Sequence, residues 1–375
     1  MIKNLIIPTT LAVASSLSMV SSAQAASGVK LDICDGQFAR LPDGNTAPSA
    51  GCVVNTTQTT SDQNYIDFYG KSNFNRRYIA YVPTNLPKDK VPVVFGFHGY
   101  NTNAEAFAHF DTHRGFERLA DEHGFIVIYP NGLHAVEGMF GVNNDPSFGE
   151  QGYFQSCFQQ HEGEAIDVLF VRQILDEIEA EVSIDRDRIY ATGLSAGGGM
   201  SLLLALEAPD LVKAIAPVAP MPFQPNGDYW QAACQLTEQT GQVSIAMFAS
   251  TADPIIPYEG NEPFPNGFFY PAMESARDTW LSKMAITGEP TFKTLSDITS
   301  GDSYKPVSGL DSSYVELYQY PKGPQGQEFW YYKGIGSGHN WPHPQQIWEG
   351  GWSILGKANQ DMDFAEQAWA FFQRH

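Results

Sequence analysis

From about residue 76 onward, short apolar runs alternate with segments of helical spacing. This alternation predicts an α/β fold with a mostly parallel central sheet and helices on both faces. Two further observations support it. Hydrophobic side chains make up 43% of the 375 residues and charged ones 17%, enough apolar material for one large core. No repeat and no low-complexity linker divides the chain after residue 65. One main domain is therefore expected over 65–375.

The elements follow in order. β-rich runs occupy 78–82, 91–97 and 125–129. Ile166, Leu169, Phe170, Ile174, Leu175 and Ile178 recur at helical spacing within 164–181. A strand-like run at 188–192 leads into a mostly apolar helix at 196–207, and strands follow at 214–218 and 243–250. A helix at 273–283, strands at 314–320 and 328–335 and a closing helix at 364–374 complete the pattern. Residues 26–64 are rich in Gly, Ser, Thr, Asn and Asp with little periodicity, and read as an N-terminal extension.

The 22 basic and 42 acidic side chains leave a formal charge of −20. Such a chain repels phosphate backbones and anionic headgroups, which argues against nucleic-acid and membrane-surface partners. At the start, Lys3 precedes an apolar stretch from Leu5 to Val20, and Ala23-Gln24-Ala25 follows. That is the pattern of an export signal cleaved after residue 25, and Pro8, Thr9 and Thr10 interrupt it as they would not a membrane span. In an oxidising compartment Cys34, Cys52, Cys157 and Cys234 read as two disulfides, with buried free thiols the alternative. Of three connectivities, Cys34 with Cys52 and Cys157 with Cys234 is favoured. No CxxC pair is present, and neither a metal nor a cofactor is expected.

Gly193-Leu194-Ser195-Ala196-Gly197 lies between a strand and an apolar helix. It is the only G-x-S-x-G in the chain, and it fits a sharp strand-to-helix turn that projects a serine above the sheet. A serine hydroxyl needs a base to take its proton and an acid to orient that base. The required order is Ser, acid, His, with the partners on loops after later strands. Thr251-Ala252-Asp253-Pro254 follows the strand at 243–250, and Gly336-Ser337-Gly338-His339 follows the strand at 328–335. Asp253 and His339 are the candidates. His343, the only other histidine between Ser195 and the last helix, lies in a Pro-rich stretch without the strand-end position. Backbone N–H donors for an oxyanion are expected from Ala196, after the serine, and from Tyr100 in the loop His98-Gly99-Tyr100. His98 reads as a brace for that loop.

The segments VPVVFGFHGY, IYATGLSAGGGM, ASTADPIIPYEG, GIGSGHNWPH and DMDFAEQAWAFFQRH together resemble successive blocks of the polyhydroxybutyrate-depolymerase/feruloyl-esterase family of secreted α/β-hydrolases. The resemblance runs in family order over about residues 76–375. It implies an α/β-hydrolase fold and a serine esterase with Ser195, Asp253 and His339 as triad and Tyr100 and Ala196 as oxyanion donors. It implies an ester substrate: a feruloyl or other hydroxycinnamoyl ester, a short polyester or acetylated xylan. The chain departs from the family pattern at Tyr100, where members often carry a small residue, and in an aromatic, proline-rich insertion between Tyr258 and Tyr270.

Trp341, directly after His339 and Asn340, and Tyr258 are expected to line a pocket for a flat acyl group, together with Phe264, Phe268, Phe269 and Tyr270. Core packing is the rival reading of these aromatics. The sequence shows no linker and adsorbing module after the closing helix, which tilts the expectation from solid polyester toward hydroxycinnamoyl esters. A peptidase of the same fold and a catalytically inactive carbohydrate-binding relative are the competing functions. Oligomeric state is not legible.

Overall fold

Near-continuous runs of valine, isoleucine and phenylalanine, buried on both faces, form the middle of a ten-stranded sheet in the computed structural model. The model describes residues 50–83, 85–87, 89–134, 152–154, 164–222, 237–261, 270–295, 313–345 and 354–375. In chain order the first elements are β1 (Ala50–Thr59), α1 (Gln63–Tyr69), β2 (Asn73–Val82), β3 (Val91–Phe97), α2 (Ala104–Ala106), a π-helical turn (Phe107–Asp111), α3 (Gly115–His123) and β4 (Ile126–Pro130). The short pair β5 (Leu133–His134) and β6 (Gly152–Tyr153) follows, then α4 (Ile166–Glu179), β7 (Ile184–Leu194), α5 (Ala196–Glu207), β8 (Ala214–Val218) and β9 (Ser244–Ser250). The chain ends with α6 (Met273–Lys283), β10 (Thr291–Leu295), β11 (Tyr314–Gln319), β12 (Phe329–Ile335) and α7 (Phe364–Phe372).

The sheet order is β1-β2-β4-β3-β7-β8-β9-β12-β11-β10. From β4 to β12 every neighbouring pair is parallel, and the outer strands on both sides are antiparallel. Helices cover both faces, as a parallel sheet requires. Val93, Phe95, Ile126, Ile128, Ile245 and Met247 point to the face packed by α4, α5 and α6. Val94, Val127, Tyr129, Ala246 and Phe248 point to the face packed by the π turn, α3 and α7. The protein has the α/β-hydrolase fold.

Eight elements lie outside the expected pattern: β1, α1, α2, the π turn, α3, β5, β6 and β10. β1 pairs with β2 over ten residues, from Ala50↔Val82 to Thr59↔Asn73, so the last part of the expected N-terminal extension supplies a strand of the sheet. The inner face of β1 turns polar after Cys52 and Val54. Thr56 bonds Glu177 of α4, while Gln58 donates to Ile166 O and accepts from Arg76. A strand that docks through hydrogen bonds leaves no hydrophobic alternation to read. α1 starts behind the Asp62 cap and ends at Gly70 (φ +67°). α3 buries Phe116, Leu119 and Ala120 but follows His113 and Arg114, both at positive φ, with no side-chain cap to announce it. β10 is an exposed edge strand whose burial does not alternate. β7 also starts four residues earlier than expected, because a register shift opposite Val91–Val93 lets polar Asp185–Arg188 join the strand.

No helix among the described residues is long and apolar enough to cross a membrane. The proposed export signal, Cys34, Cys157, Cys234, Phe264, Phe268 and Phe269 lie outside the described residues.

Candidate active site

Ser195 sits between the last residue of β7 and the first of α5 with φ +59° and ψ −116°. A non-glycine residue in that region stores on the order of 1–3 kcal/mol, and its surroundings must hold it there. They do so from two sides. The Ser195 N–H donates to Val218 O of β8 at 2.9 Å, and its carbonyl accepts from Gly199 N at 2.9 Å and Met221 N at 3.2 Å.

The motif glycines are required by contact. A Cβ on Gly193 would lie 2.6 Å from Phe97 O and collide with the Gly197 backbone, and one on Gly197 would overlap Phe97 O itself. β3, β7 and α5 therefore meet backbone to backbone at the serine. All twelve residues of α5 are buried, which explains why its sequence is glycine-rich and apolar rather than amphipathic.

Asp253 and His339 come from loops after adjacent parallel strands, β9 and β12. Asp253 Oδ1 accepts the backbone N–H groups of Ile255 and Ile256, each at 2.8 Å. That leaves Oδ2 to face His339 Nδ1 at 2.7 Å, in a pair whose side chains are 2% and 6% exposed. The imidazole so held presents Nε2 as its remaining nitrogen, and an Nδ1 proton directed at a carboxylate leaves that nitrogen able to accept.

The two loops are fastened to each other. Ala252 N donates to Ser337 O at 3.0 Å, Gly336 N to Thr251 Oγ1 at 2.9 Å, and Ser337 Oγ to Ser250 Oγ at 3.1 Å. His339 N donates to Leu355 O at 2.6 Å, tying the imidazole's own backbone to the segment before α7.

The loop after β3 lies over the serine, where a Cβ built on Gly99 would be 3.8 Å from Ser195 Cβ. Tyr100 is 41% exposed, and Ala196 is buried at the start of α5. The free N–H groups of that first helical turn carry partial positive charge at the site.

Two expected substrate contacts are corrected. Trp341 is fully buried, edge-on to Phe107 at 5.4 Å, Phe116 at 6.0 Å and Phe364 at 5.4 Å. It anchors the histidine loop to α3 and α7, and has no surface left for an acyl group. Tyr258 is 4% exposed, its hydroxyl donating to Glu274 and accepting from Tyr331. Lys333 lies over its ring at 4.9 Å and pairs with Glu274, so Tyr258 locks the Asp253 loop to α6 and β12. Sequence reasoning also passed over Thr251, Ser337 and the Ile255 and Ile256 amides. Only the last had a signal, since an Asp before a Pro-containing turn often binds the amides that follow it.

The sequence model of the family described as Putative esterase matches residues 71–342, and the chain belongs to that family. It is 30% identical over 179 residues to poly(3-hydroxyalkanoate) depolymerase C of Paucimonas lemoignei, a match covering 48% of this chain and 37% of that protein. It is 25% identical over 289 residues to the putative esterase NocK of Nocardia uniformis subsp. tsuyamanensis, covering 75% of this chain and 72% of that one. It is likewise 25% identical over 304 residues to feruloyl esterase B of Thermothelomyces thermophilus, covering 78% of this chain and 90% of that one. The match thus spans little more than a third of the depolymerase.

Proposed function

We propose that the protein is an exported serine carboxylic-ester hydrolase that works through an acyl-enzyme. The observation that carries the reading is the buried Asp253–His339 pair, 2.7 Å apart on adjacent strand-end loops, in an esterase-family chain whose Ser195 occupies a strained elbow. His339 Nε2 takes the Ser195 proton as Oγ attacks the ester carbonyl. Asp253 holds the ring in the needed tautomer and stabilises the imidazolium. The Ala196 and Tyr100 N–H groups receive the oxyanion, and His339 returns its proton to the leaving alcohol. Water then repeats the sequence on the acyl-enzyme.

The proposed substrate is a hydroxycinnamoyl ester. Its support is the feruloyl esterase match along 90% of that protein's length. A short polyester is the second reading, favoured by the depolymerase segment at 30% identity. Export is part of the proposal. It rests on the N-terminal sequence pattern and on Cys52, buried on β1 and disulfide-bonded, with Cys34 as its proposed partner.

The test combines Ser195→Ala with a substrate panel. Turnover of p-nitrophenyl acetate should fall by about 10⁶ in the variant, and a serine-directed phosphonate should label Ser195 in the wild type. Labelling elsewhere refutes the nucleophile. Faster cleavage of 3-hydroxybutyrate oligomers than of methyl ferulate, compared as kcat/KM, puts the polyester first.

A further inference from the structure

The Gly99–Tyr100 peptide has two ends that matter. Its N–H belongs to Tyr100, the second oxyanion donor proposed above, and its carbonyl is Gly99 O. No described peptide bond is cis. In a trans peptide the C=O and N–H point in opposite directions, so whatever grips the carbonyl also aims the N–H.

Gly99 O is gripped twice. His98 Nδ1 approaches it at 2.7 Å and Thr102 Oγ1 donates to it at 3.1 Å. The His98 proton is placed without ambiguity. Nε2 accepts the Gly132 N–H at 2.9 Å, so Nδ1 must carry the hydrogen and donate. Full burial lowers His98 to about 4, which keeps the ring neutral and this arrangement intact.

The Gly132 amide is itself anchored. The preceding residue, Asn131, accepts Arg76 Nη2 on its carbonyl at 3.2 Å and the Ala104 N–H on Oδ1 at 2.7 Å. Arg76 in turn pairs with Asp167 and Gln58 inside the core. A line of hydrogen bonds therefore runs from β1, β2 and α4 to the peptide above the serine. Such a grip is needed because Gly99 has no Cβ to restrict rotation of that peptide, and Asn101, two residues on, is held at φ +57°.

We propose that His98 and Thr102 form a two-point clamp on the Gly99 carbonyl that fixes the direction of the Tyr100 N–H, making both of them positioning residues for the transition state. This rests on the oxyanion role given to Tyr100 above. A flipped peptide would present its carbonyl where negative charge develops, so the clamp acts on the transition state and leaves ground-state binding alone.

Thr102→Val keeps the shape of the side chain and removes the hydroxyl. With p-nitrophenyl acetate, kcat should fall about tenfold at unchanged KM, less than the 10²–10³ lost with a whole oxyanion donor. Affinity for phenylboronate, which forms a tetrahedral adduct, should weaken by the same factor, and inhibition by unreactive p-nitroacetanilide should not change. Thr102→Ser should restore both kcat and boronate affinity. His98→Asn, which keeps one N–H but cannot span both loops, should cost about 10². Wild-type kcat and boronate affinity in Thr102→Val, with the phosphonate still on Ser195, overturn the clamp and leave the nucleophile standing. A parallel loss in kcat, KM and melting temperature also overturns it, by marking Thr102 as structural only. Failure of the phosphonate to label wild-type Ser195 removes the reading beneath it.

Discussion

Where β7 turns into α5, backbone touches backbone. Gly193, Gly197 and Phe97 O leave no room for a single added carbon. The Asp253 and His339 loops are joined to each other instead by hydrogen bonds, through Ser250, Thr251, Ala252, Gly336 and Ser337, with close backbone contact only where Gly338 meets the segment at Leu355 and Gly356. The serine is thus placed by steric exclusion, and the acid–base pair by a polar zipper. Exclusion is all or none, because an overlap cannot be partly accommodated. A zipper loses strength one bond at a time. Substitutions in the two regions should therefore fail in different ways, and three of them put that contrast at risk.

The largest effect is expected inside the pair. Asp253→Asn preserves shape but offers His339 Nδ1 the wrong partner, so turnover of p-nitrophenyl acetate should fall by about 10³–10⁴ with the urea midpoint little changed. Full activity would move the acid elsewhere. Gly197→Ala should come next and should read as lost stability, about 3 kcal/mol or more by urea denaturation, because its Cβ would overlap Phe97 O. A folded, active Gly197→Ala protein would break the steric account. The smallest effect belongs to the zipper. Ser337→Ala removes the donor to Ser250 Oγ and should cost about 1 kcal/mol, with a kcat loss of only a few-fold. A loss as large as that of Asp253→Asn would show that the zipper is no more graded than the elbow.

The sequence made some of this legible and hid the rest for physical reasons. The central strands could be read because both faces are apolar and buried. Ser195, Asp253 and His339 stood out because each follows a strand end, in the order that fold demands. β1 was not readable, since Thr56 and Gln58 dock through hydrogen bonds rather than apolar contact. Trp341 and Tyr258 were misplaced for another reason. Nearness in sequence to His339 and Asp253 was taken for nearness to substrate, yet both rings turn inward and brace the loops that carry those residues. Thr102 carried no signal at all, because its partner is a backbone carbonyl.

Helix α5 has one more consequence. With every one of its twelve residues buried, it has no polar side on which to rest against solvent, and its N-terminus is jammed against β3. Partial openings, in which one helix lifts while the others stay packed, are therefore closed to it. Its backbone amides should exchange with deuterium only when the whole molecule unfolds, at the free energy of global unfolding, whereas those of the exposed edge strand β10 should exchange far sooner. Exchange in α5 that ignores added denaturant would contradict this. If it holds, the residue proposed to attack the ester is anchored to the slowest-breathing part of the protein, and esterase activity would follow the folded fraction directly during thermal or chemical denaturation.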